Sequence, residues 1–235
     1  MMLSFVDLRG YGIHATDGDI GSVRDAFFED TTSTIRYLVV DTGGWLGGRR
    51  VLLAPAALGE VDHDAQKIIT ALTRAQIEDS PGVDTDQPVS RQHEEQLHRY
   101  YDWTPYWYGT TAYGLAPYWG AMPPPDVPPA RPEANRVEQE LIEAERERAD
   151  PHLRSAHEVV GYYVAASDGD IGHVEDLLID PVGWRIEQLV IDTRNWLPGK
   201  KVLVPPSAVE NIDWSTREVR LRMSRDDVDR SCRAP

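Results

Sequence analysis

The chain repeats itself at an offset of 151 residues, and the alignment needs no gap. Gly10-Tyr11 falls on Gly161-Tyr162, and Asp17-Gly18-Asp19-Ile20-Gly21 falls on Asp168-Gly169-Asp170-Ile171-Gly172. Asp41-Thr42 meets Asp192-Thr193, Trp45-Leu46 meets Trp196-Leu197, and Val51-Leu52 meets Val202-Leu203. Of the 71 positions from 10 to 80, 25 are identical in the second copy. Average residue usage would give about four to five by chance. Two copies of one unit of about 75 residues therefore stand in a chain of 235. Whatever each copy folds into must be small.

Within a copy, short β-branched and aromatic runs alternate with turn residues. Residues 34–41 read as a strand that stops at Gly43-Gly44, and 185–192 are its counterpart. Strands are also expected over 11–15, 20–28 and 49–53, and over 162–166, 171–179 and 200–204. Residues 60–63 with 66–72, and 211–213 with 218–223, read as short hairpins. Five or six short strands in about 70 residues, with turns between, predict a small closed or nearly closed β-barrel. Closure also removes the free edges that invite aggregation. The fold class expected is mainly β, with two barrels of about six strands.

The repeated Asp-Gly-Asp has two readings. As a metal loop it lacks the ligands of a calcium site, because Asp17 and Asp19 are followed by Ile20, Gly21 and Ser22. As a turn it fits. Asp-Gly is a tight-turn dipeptide, and Gly18 and Gly169 accept backbone angles that other residues avoid. Gly21 and Gly172 would then sit in the next strand, where a bulge or a close backbone approach calls for glycine. We take Asp17, Gly18, Asp19, Gly21, Asp168, Gly169, Asp170 and Gly172 as structural turn residues.

Residues 84–157 belong to neither copy. Nine aromatics crowd positions 100–119, among them Tyr101, Trp103, Tyr106, Trp107, Tyr108 and Trp119. The whole chain has only 17 Trp and Tyr, so this segment is set apart by composition. A proline-rich stretch at 122–129 follows, and then a Glu- and Arg-rich helix is expected near 133–149. The aromatics read as a binding segment, as packing within a structured linker, or as a loose tether. Trp45 and Trp196 likewise read as caps on the barrel ends, or as part of a partner or barrel–barrel interface. The expected organisation is a first domain over 1–83, an irregular linker with a short helix over 84–157, and a second domain over 158–235.

The pattern Gly-Tyr, then Asp-Gly-Asp-Ile-Gly, then Asp-Thr with a following Trp, then Val-Leu and Pro, then Ile212-Asp213-Trp214 and Ser224-Arg225-Asp226-Asp227-Val228, resembles the PRC-barrel family. That family includes the cytoplasmic domain of the photosynthetic reaction-centre H subunit and the C-terminal domain of RimM-type ribosome maturation factors. The resemblance covers both copies. It implies a six-stranded barrel and a protein-interaction or assembly role rather than catalysis. It leaves two further expectations open: a scaffold at a photosynthetic membrane complex, or a ribosome-assembly factor that binds a basic ribosomal protein.

Composition narrows the partners. A net charge of −15 argues against sequence-independent binding of nucleic acid, which needs a basic face. The one cysteine, Cys232, allows no internal disulfide. No secretory pattern and no apolar run near 18 residues is present, so a cytoplasmic protein without a transmembrane segment is expected. The seven histidines are scattered, and no GxSxG or phosphate-loop motif occurs. No metal, no cofactor and no catalytic residues are expected. The expected partner is an unidentified protein; self-association is one further expectation, and docking of the two like domains as a pseudo-twofold pair, with Leu38 and Leu189 in the core, is the other.

Overall fold

The structure is a computed structural model, described here for residues 2–43, 48–80, 97–103, 153–193 and 201–231. The chain forms two compact units: Met1–Val89 together with His152–Pro235, and Ser90–Pro151. Both copies of the repeat lie in the first unit.

The first copy contributes seven strands: β1 (Leu3–Ser4), β2 (Gly12–Ala15), β3 (Gly18–Glu29), β4 (Thr34–Asp41), β5 (Arg50–Leu53), β6 (Leu58–Asp62) and β7 (Lys67–Thr70). The second contributes β8 (Leu153–Ser155), β9 (Tyr163–Ala166), β10 (Gly169–Asp180), β11 (Arg185–Asp192), β12 (Lys201–Val204), β13 (Val209–Asp213) and β14 (Glu218–Leu221). In each copy six strands make the barrel, β2 to β7 and β9 to β14. The β4 and β11 strands are wholly as expected, because both are rich in β-branched and other apolar residues, Ile35, Leu38, Val39 and Val40 in one and Ile186, Leu189, Val190 and Ile191 in the other. β3 and β10 start two residues earlier than their apolar content indicates. Their first residues, Gly18 and Gly169, pair back across the hairpin with Ala15 and Ala166.

The barrels share one sheet in the order β13-β14-β9-β10-β11-β4-β3-β2-β7-β6. Read from either end, equivalent strands come in the same order, so a pseudo-twofold axis passes between β11 and β4. Two reciprocal bonds mark it: Ile35 N–H to the Trp184 carbonyl at 2.7 Å, and Ile186 N–H to the Ser33 carbonyl at 2.8 Å. Ser33 and Trp184 both carry left-handed backbone angles, φ 56° and 49°. The hairpin tips thus bend alike to meet at the axis.

The remaining strands are exchanged. β1 of the first copy pairs with β10 of the second, Leu3 opposite Ile179 and Ser4 opposite Leu178. β8 of the second pairs with β3 of the first, Arg154 opposite Phe28 and Ser155 opposite Phe27. A one-turn helix follows each, Phe5–Leu8 and Ala156–Val159. Phe5, Leu8, Ala156 and Val159 are buried, in one apolar core that runs through both barrels and includes Leu38 and Leu189. The barrel unit resumes at His152, ahead of residue 158, where the division drawn from sequence starts the second domain. β8 and the first half of its helix lie before that residue and belong to the barrel unit. A strand of two or three residues is too short to show period-two alternation.

In the second unit, residues 97–101 are helical, with Leu97 and His98 buried. The expected helix at 133–149 lies outside the described residues.

Candidate functional site

The repeated acidic turn joins the first two barrel strands of each copy. Thr16 and Asp17 form a two-residue loop between β2 and β3. The Asp17 Oδ1 accepts the Arg74 N–H at 2.7 Å, and the Asp168 Oδ1 accepts the Arg225 N–H at 2.9 Å. Each carboxylate thus satisfies the first N–H of the closing helix, Arg74–Glu78 or Arg225–Ser231. The Arg225 guanidinium in turn donates to the Asp170 carbonyl from Nε at 3.0 Å and from Nη2 at 2.7 Å. Asp19 bonds the His14 Nδ1 at 2.7 Å, and this bond, with Lys67 at 3.9 Å, holds its carboxyl below the usual range. Among the described residues no group of three or more His, Cys, Asp or Glu is placed to hold a metal ion. Replacing Asp168 by Ala should cost about 1 kcal/mol and fray the last helix, whereas Asn should restore most of it. Urea denaturation of both variants, read by circular dichroism, checks this.

Gly21 and Gly172 have a packing role. A Cβ on Gly21 would lie 2.0 Å from the Asp41 carbonyl oxygen, and one on Gly172 would lie 1.8 Å from that of Asp192. A ladder irregularity beside each, between Asp19 and Gly21 and between Asp170 and Gly172, marks a bulge. The long strand bends here and presses its backbone onto the end of the central strand.

The seam between the copies holds the most deeply placed carboxylate with a resolved perturbation. Asp25 Oδ2 accepts the Ser155 hydroxyl at 2.5 Å, and its Oδ1 accepts the His157 N–H at 2.9 Å. Asp176 repeats the pattern with the Ser4 hydroxyl at 2.5 Å and the Val6 N–H at 3.0 Å. Each aspartate therefore caps the helix that follows the exchanged strand, and does so across copies. Burial raises the Asp25 carboxyl above its ordinary value, against the pull of these donors. Glu158 is also raised, by burial first and then by the charge of Asp25. The two seams differ in one further respect. Arg154 Nε meets Asp30 Oδ2 at 2.9 Å, nearly out of solvent, whereas the equivalent positions hold Leu3 and Pro181. Sequence reasoning passed over this lock. The signal was there, since Ser4 and Asp25 recur as Ser155 and Asp176 at the same offset, but the traced repeat began at Gly10.

Beside the seam lies an open groove of about 460 Å³. Leu58, Gly59, Glu60 and Val61 of β6 line one wall, and Pro181, Val182 and Trp184 of the β10–β11 turn line the other. Trp184 is 5% exposed and anchors the turn in the core, while Val182 is 90% exposed. The matching turn of the first copy reads Asp30-Thr31-Thr32-Ser33, so this apolar wall occurs once.

Of the aromatic interface candidates, Tyr101 and Trp103 fall in the second unit. Their rings stack at 4.3 Å and 13°, and His98 meets Trp103 edge-on at 5.8 Å. The Trp103 N–H closes the helix end on the His98 carbonyl at 2.9 Å, past Asp102 at φ 54°. Trp45, Trp196, Tyr106, Trp107, Tyr108 and Trp119 lie outside the described residues. Among the described helices none is long and apolar enough to cross a membrane.

The family model described as the PRC-barrel domain matches twice, over residues 1–77 and 151–226. A protein of Deinococcus radiodurans, named only as an uncharacterized protein, is 38% identical over 112 residues. That match covers 42% of this chain and 39% of the relative, so the chain spans well under half of that protein's length. Both family matches begin early enough to take in the exchanged strands, β1 and β8, together with the six strands of each barrel. This chain belongs to the PRC-barrel family.

Proposed function

We propose that this protein is a non-enzymatic assembly or adaptor protein of the cytoplasm. The observation that carries the reading is the welded seam. Two barrels joined by exchanged strands, capped across copies by Asp25 and Asp176, form one stiff body with duplicated but unequal surfaces. Stiffness lowers the entropy lost when a second protein docks. The perturbed carboxylate of Asp25 has a structural use in that seam. The unequal decoration supplies specificity: Tyr163 is 67% exposed and Trp214 is 42% exposed on the second barrel, where the first has Gly12 and His63. Exposed aromatics are the residue types that dominate interface energetics.

The test is crosslinking followed by affinity capture of the full chain from its native cell, beside a variant lacking residues 100–120. The adaptor reading expects a stoichiometric protein partner. Loss of that partner on deletion assigns contact to the aromatic segment, and retention assigns it to the barrels. Recovery of the chain alone, at native concentration and with efficient crosslinking, would overturn the reading.

A further inference from the structure

We propose that the groove beside β6 receives an extended, basic segment of a partner protein as an added strand. This rests on the adaptor reading and names the kind of partner that one surface fits. Successive side chains of a strand point to opposite faces. A groove lined by four consecutive residues, Leu58 to Val61, therefore runs along the strand's edge rather than over one face. The shared sheet ends at β6, and among the described residues β6 pairs with β7 alone. The ladder slips between Leu58 and Val61, so Gly59 and Glu60 have no register partner in β7. Main-chain groups on a strand edge are what an incoming strand bonds.

The opposite wall gives the added strand something apolar to cover. Val182 stands almost fully in solvent at the tip of a turn that is polar in the other copy. The charge around the groove selects the occupant. Glu60, Asp62 and Asp64 are all exposed along β6 and its turn. In an antiparallel pairing of β6 with its own copy, acidic residues would face acidic residues, which is unfavourable. The chain's net charge of −15 adds to that repulsion. An edge guarded by acid and a bulge resists self-association, yet remains open to a strand carrying Lys or Arg. The occupant is thus an apolar-basic alternating segment of another protein.

The probe is a dye-labelled peptide of alternating Lys and Val, about eight residues long, a usual strand length. Its binding to the full chain is read by fluorescence anisotropy and by hydrogen exchange. We expect saturable binding, with slowed exchange at the Gly59 to Val61 amides. Glu60→Lys should weaken binding about ten-fold, and Val182→Ser about three-fold, as expected for one charge pair and one partly covered side chain. Both positions are exposed, so both variants should keep the wild-type circular dichroism. A peptide N-methylated at alternate residues should lose binding, since it lacks the main-chain donors. Binding that ignores Val182→Ser and N-methylation would be general charge attraction and would overturn the proposal, as would no binding. A native partner captured unchanged by both variants would sink the groove while leaving the adaptor reading intact.

Discussion

Gly172→Ala is expected to cost about 4 kcal/mol or more, which is a large share of the stability of a small domain. The added methyl would sit 1.8 Å from the Asp192 carbonyl oxygen and 2.9 Å from its carbonyl carbon. Those are main-chain atoms of a central strand, so no side chain can swing aside. The strand must either straighten, losing the curvature that closes the barrel, or part from β11. Gly21→Ala faces the same collision with Asp41 at 2.0 Å and should behave alike. Gly161→Ala is the control. Its Cβ would meet nothing within 4 Å, and the φ of 103° alone should cost about 1 to 2 kcal/mol. Urea denaturation midpoints for the three variants check the order. A Gly172→Ala protein as stable as Gly161→Ala would show that the strands do not approach as described.

The second large effect lies at the seam. Asp25→Ala leaves the Ser155 hydroxyl and the His157 N–H without their acceptor, and should cost about 2 to 3 kcal/mol. Asp25→Asn keeps an acceptor and removes the charge, so it separates shape from ionisation. Because burial raises the folded pKa of Asp25, the folded state holds this proton more tightly than the unfolded chain does. The stability this confers is complete below the unfolded value, about 3.9, and is lost as pH rises through the raised folded value. Asn cannot titrate. The stability difference between Asp25→Asn and wild type should therefore shift in favour of Asn as pH rises across that window. Chemical denaturation of both proteins from acid to neutral pH measures the difference. A constant difference would mean that Asp25 is not buried as charge. Carboxyls held low by hydrogen bonds, such as Asp213 and Asp227, act with the opposite sign, but they cancel in this comparison.

Much of the barrel was legible in the residues. The strands Thr34–Asp41 and Arg185–Asp192 follow from their β-branched and apolar content, and the hairpins at 58–70 and 209–221 follow from turn residues between short apolar runs. The capping use of Asp17 and Asp168 was not legible. It joins residues 57 positions apart, and no local pattern says which helix a turn carboxylate will meet. The groove was also hidden, because Val182 and Leu58 are unremarkable apart and gain meaning only across the seam.

By itself the sequence determines that one small β-fold is written twice, since a gapless echo at 151 residues imposes the same strand order on both halves. Only the tertiary structure decides which half each first strand joins. Leu3-Ser4 can lie against Phe27-Phe28 of its own copy or against Leu178-Ile179 of the other, and both offer an apolar edge. Duplication makes the two pairings nearly equal at the level of local chemistry. The choice of the exchanged one rests on contacts between parts of the chain some 170 residues apart, the Ser4–Asp176 bond among them.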